Sequence, residues 1–85
     1  MSVDDEVALD LGCERCAKIY LAIFRGDGVS WLEKIIRDTG MKRKTVMRHL
    51  NRLLTLKLVK ANVVPLYEIV REIDSLKKLK GGDLE

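Results

Sequence analysis

The sequence predicts a mainly α-helical domain carrying one small β-hairpin, and three observations predict it. Apolar residues recur at helical spacing through most of the chain. Glycine breaks, Gly26-Asp27-Gly28 and Gly40, divide that pattern into separate helices. A single stretch after Leu56 changes to strand-like runs on either side of a turn, Asn62-Val63-Val64-Pro65.

Residues 1–12 hold four acids among Val3, Val7, Leu9 and Leu11, and read as an acidic tail or a short helix packing on a partner. Residues 13–25 form the first firm helix. From Cys16 to Phe24 it is apolar at all but one position, so it is expected to be buried on most sides, as a central helix or one covered by a second subunit. The next helix is expected over 30–39. There S-W-L-E has the form of a capping box, with Ser30 and Glu33 satisfying each other's end of the first turn. Trp31, Leu32, Ile35 and Ile36 supply its apolar face, and Gly40 sits where a left-handed C-terminal cap belongs.

Only Met41 and Lys42 separate that stop from a helix over 42–56, in which Val46, Leu50, Leu53 and Leu54 mark the buried side. Two helices joined by so short a turn form a helix-turn-helix pair with the second helix projecting. Strands are expected over 58–61 and 66–70, as a hairpin, followed by a last helix over 71–80 and a tail over 81–85 that begins with Gly81-Gly82. The domain therefore spans 13–80.

Charge is unevenly placed along this scaffold. Residues 41–60 hold seven bases and no acid, residues 1–40 five bases and eight acids, and residues 61–85 four bases and five acids. The three segments carry +7, −3 and −1 within the formal +3. On the 42–56 helix, Lys44, Arg48 and Arg52 repeat at spacing four, where like charges disfavour an isolated helix by a few tenths of a kcal/mol each. A basic stripe of this kind is the footprint of a surface that meets a polyanion. Its bland alternative is a solvated face with no partner.

At 85 residues the chain makes one small domain, with a core thin enough that dimerisation would help it. No apolar run approaches the roughly 20 residues of a membrane span, and the first residues are acidic where a signal peptide would be basic. A cytoplasmic location is expected. The absence of Gln and the presence of only two Asn point towards a thermophile.

Cys13 and Cys16 stand in C-E-R-C. Four-coordinate zinc would need two more ligands, and His49 is the one histidine. On a helix the two cysteines share a face, which favours small apolar packing. A redox or metal role, shared across a dimer, is the alternative. No metal and no cofactor are expected. No nucleophile–base pair, carboxylate dyad or phosphate loop is visible, so no enzymatic activity is expected.

The run T-G-M-K-R-K-T-V-M-R-H-L-N-R-L-L-T-L-K-L-V-K, residues 39–60, resembles the helix-turn-helix region of prokaryotic winged helix-turn-helix regulators of the ArsR and MarR type. Gly40, Met41, Thr45, Val46, Arg48, His49, Leu50, Leu53, Leu58 and Val59 stand at matching places, and the likeness extends over roughly residues 14–80. The ArsR metal motif, Cys-x-Cys before the turn, is absent. Lys57 stands where a Gly is usual, and the 62–65 turn carries no basic residue. The chain is as short as minimal regulators of archaea, plasmids or viruses.

The resemblance implies a winged helix-turn-helix fold and sequence-specific binding of double-stranded DNA in transcription regulation. The 42–56 helix would enter the major groove N-terminal end first. Lys42, Arg43, Lys44, Thr45, Arg48, His49 and Arg52 would contact DNA, with Lys60 reaching a phosphate. A homodimer would place two such helices one turn of DNA apart, through the 13–25 and 71–80 helices. The alternative function is a winged-helix module that binds protein or RNA.

Overall fold

The computed structural model describes residues 3–63 and 65–76. Its elements run α1 (Val3–Leu11), α2 (Glu14–Arg25), β1 (Val29–Trp31), α3 (Leu32–Thr39), α4 (Arg43–Thr55), β2 (Val59–Val63) and β3 (Leu66–Ile69). The chain is mainly helical with a small three-stranded antiparallel sheet, ordered β1-β3-β2.

α2 is the central element, as its near-continuous apolar run predicts. Cys16, Ala17, Ile19, Tyr20, Leu21 and Ile23 are all buried, and α1, α3, α4, β1 and β3 pack around them. Among the described residues the chain buries these six side chains by itself, without a second subunit, and leaves Ala22 and Phe24 half-buried. The acidic N-terminal segment is part of that cover. It forms α1, with Asp4, Asp5 and Glu6 at the positive end of the helix dipole, and buries Val7 against α2. Arg25 then reaches back to Asp4 at 2.8 Å.

The capping box at Ser30 does not form. Ser30 lies in β1, directly opposite Tyr67 of β3, and is 3% exposed. Its hydroxyl donates to the carbonyl of Trp31 at 3.4 Å. The amide of Leu32 donates to the carbonyl of Pro65 at 2.9 Å, and α3 starts at Leu32 behind Trp31, which offers no side-chain cap. Sheet pairing has thus taken the residues that local capping would have used. Trp31, expected on the apolar face, is 52% exposed. The stop is as expected: Gly40 has φ 70°, and its amide donates to the carbonyl of Ile36 at 2.9 Å.

α4 ends in a Schellman motif. The amide of Leu58 donates to the carbonyl of Leu53 at 3.1 Å and that of Lys57 to Leu54 at 3.0 Å. Lys57 therefore holds the left-handed position, with φ 61°, where glycine would carry no steric cost. This geometry turns the chain into β2 and the β2–β3 hairpin, which has a bulge between Ala61 and Val63.

The segment after β3 departs from the expected 71–80 helix. Residues 71–73 are not helical, and a helical turn begins at 74–76; residues 77–80 lie outside the described residues. Two anchors hold this segment on its own chain. The Tyr20 hydroxyl donates to the carbonyl of Arg71 at 2.6 Å. Asp10 of α1 accepts from both the amide and the hydroxyl of Ser75, at 3.1 and 2.7 Å. Leu76 is fully buried, so this part of the proposed dimer helix docks on its own chain.

Candidate nucleic-acid interface

α4 divides its side chains sharply. Val46, Leu50 and Leu53 are buried in the core, with Met47 and Leu54 partly buried beside them. Lys44, Arg48, Asn51, Arg52 and Thr55 are exposed. Their spacing puts these five on the opposite side of the helix. Among the described residues, Lys42, Lys44, Arg48 and Arg52 make no ion pair. The first turn of α4 contains no acid and no side-chain cap, so its amides and the positive end of its dipole face outward with Lys42 and Lys44.

The other expected contacts are placed differently. Arg43 is ion-paired to Glu33 of α3, the glutamate that the capping box would have turned towards Ser30. Thr45 is half-buried on the flank of α4. Lys60 lies across the hairpin from Glu68, 3.8 Å away, and Asn62 also bonds to Glu68. The β2–β3 ribbon thus spends its one basic side chain on a cross-strand pair.

Asn51 was missed as a candidate. It lies one turn beyond Arg48 on the exposed face, and its side-chain amide makes no hydrogen bond among the described residues. The signal was its position seven residues after Lys44, in line with the basic stripe. An exposed Asn among bases has the donor–acceptor pair that matches the adenine edge.

His49 turns away from this face towards α2. Its Nδ1 lies 3.4 Å from Cys16 Sγ and 3.6 Å from Cys13 Sγ. Burial, and then the charges of Arg15, Arg48 and Arg52, hold its pKa below the ordinary histidine value. Near neutral pH it is therefore an uncharged ring and adds no charge to the stripe. Cys13 is the N-cap of α2, with extended backbone, and its sulfur accepts the Cys16 amide at 3.1 Å. Burial, followed by the hydrogen bond to Cys13, pushes the Cys16 thiol up to about 12. The potential ligand atoms of Cys13, Cys16 and His49 all lie within 4.8 Å of one another. Packing at small apolar positions was the expectation for these cysteines. Cys16 does sit in the core, and the fold adds the histidine that 33 residues of sequence had hidden.

Among the described residues no helix is long and apolar enough to cross a membrane. Comparison with protein families, with curated proteins and with solved structures finds no match for this chain.

Proposed function

We propose that this chain is a winged helix-turn-helix domain that binds double-stranded DNA and regulates transcription, with α4 as the helix that enters the major groove. α3, the three-residue connection Gly40–Lys42 and α4 make the helix-turn-helix, and β2 and β3 make the wing. The observation that carries the reading is the exposed face of α4, where Lys44, Arg48 and Arg52 stand unpaired around Asn51. Among the described residues these three bases have no ion-pair partner, and they repel one another along the helix. Phosphates relieve that repulsion. Lys42, Lys44 and the first-turn amides would grip the backbone, Arg48 and Arg52 would follow the groove, and Asn51 would read a base edge.

The decisive experiment is a salt titration of binding to a duplex of random sequence. Engagement of five or six phosphates gives a slope of log K against log salt of about −5. Absence of binding at low salt would remove the DNA reading and leave the same face to an acidic protein partner.

A further inference from the structure

We propose that Cys13, Cys16 and His49 form a three-ligand site for a borderline-soft divalent cation of the zinc type, clamping the N-terminus of α2 to the middle of α4. Three observations carry it, and none depends on what α4 docks on.

The first is spacing. A metal at about 2.3 Å from sulfur and about 2.0 Å from nitrogen, in tetrahedral geometry, sets those ligand atoms about 3.5 Å apart. His49 Nδ1 stands 3.4 Å from one sulfur and 3.6 Å from the other. The nitrogen thus already stands at coordination spacing from both sulfurs, all three ligand atoms lie within 4.8 Å of one another, and two sulfurs and a nitrogen are the donor set that zinc selects.

The second is the support behind the ligands. Cys13 is held in extended backbone outside the helix while Cys16 lies inside it, so the two sulfurs converge from a cap and a first turn. The Cys16 amide already donates to Cys13 Sγ, the kind of outer bond that steadies a coordinated thiolate. α2 and α4 are packed together through the core, so the ligands sit on rigid elements.

The third is charge and room. Binding a divalent ion releases two thiol protons to solvent, and two thiolates then neutralise the ion. The filled site carries no net charge, which suits a neighbourhood containing Arg15, Arg48 and Arg52. A surface hollow of about 290 Å³, lined by Cys13, Glu14, Arg15, Lys18 and His49, gives the fourth position access to water.

The test uses the full chain, reduced and freed of metal, titrated with Zn(II) alone in competition with a chromophoric chelator, and with Co(II) as a spectroscopic probe. The expected result is uptake of one ion per chain, with the thiolate-to-cobalt charge-transfer band and the visible bands of tetrahedral Co(II). Cys13→Ser and His49→Gln each weaken binding at least about 100-fold, the upper end of what loss of a supporting group costs. Zn(II) raises the melting temperature of the parent chain and leaves both variants where they were. These two positions are only half-buried, so both variants are suited to folding where Cys16→Ser is not. Absence of saturable uptake by the reduced chain would overturn the site, whether or not Cys13 and Cys16 form a disulfide on oxidation. So would uptake that both variants retain, or a Co(II) spectrum without the thiolate band.

Discussion

α2 and α4 are similar in length and both helical, yet their charges do different work. In α2 the buried residues occupy most of the circumference, and the terminal charges serve the fold: Glu14 lies in the first turn, and Arg25 in the last turn pairs with Asp4. In α4 burial stops at Val46, Leu50 and Leu53, and the bases opposite have no structural partner among the described residues. α2 also leaves two exposed bases, Arg15 and Lys18, without an ion pair among the described residues, but α4 sets Lys44, Arg48 and Arg52 in one row with no acid anywhere on the helix. The difference is one of local charge balance: Glu14 stands beside Arg15 in α2, whereas on α4 only Arg43 has an acid within reach, Glu33 of α3.

The comparison can be broken most severely at α2. Ile19→Ala should cost about 2–5 kcal/mol, because it opens a cavity at a fully buried site. Urea unfolding would show it, and a loss below about 1 kcal/mol would mean that the core is not centred on this helix. On α4 the Lys44→Ala, Arg48→Ala double variant should do the reverse. Its stability should stay within about 0.5 kcal/mol of the parent. Its salt slope on duplex DNA should be shallower by about 2, a loss on the order of 30-fold at 0.15 M salt from counterion release. An unchanged slope would take the DNA surface off this face.

Smaller effects sharpen the picture. Burial pushes the Tyr20 phenol above its ordinary value. Its neutral form is the one that the fold favours, so its contribution is complete below about pH 10 and is lost as pH rises through the higher folded value. Tyr20→Phe should cost about 0.5–1.5 kcal/mol at neutral pH by removing the hydrogen bond to Arg71. It should also flatten the fall in stability in alkali; equal alkaline slopes in the two proteins would contradict the assignment. Lys57→Gly should stabilise the chain by up to about 1 kcal/mol, since glycine meets no penalty at φ 61°. A lower melting temperature would show that the lysine does something beyond filling the turn. Arg43→Ala should cost about 0.2–1 kcal/mol of stability, the worth of an exposed pair. A DNA affinity loss above tenfold in that variant would show that Arg43 leaves Glu33 on binding.

Much of this fold is legible along the chain. The apolar run of α2, the Gly40 stop, the inward residues of α4 and the two hairpin strands follow from periodicity and backbone preference. The failures cluster where local rules had a distant competitor. Ser30 and Glu33 satisfy the capping pattern, yet Ser30 is taken by Tyr67 and Glu33 by Arg43. β1 is three residues long, too short for any alternation to announce it. The start of the 71–80 segment has helical spacing, yet residues 71–73 are not helical, and the Tyr20 hydroxyl takes the carbonyl of Arg71 there.

What the sequence by itself determined is therefore the local inventory. It set where helices begin to bury a face, where glycine ends one, and that seven bases and no acid fall within residues 41–60. These depend on neighbours three or four positions away, which any reader of the chain can see. Only the tertiary structure decided which charges remain without partners, and that His49 leaves the basic face to meet Cys13 and Cys16. Those contacts join residues 36 and 33 positions apart. The packing of α4 on α2 creates them, and no local preference of either segment encodes that distance.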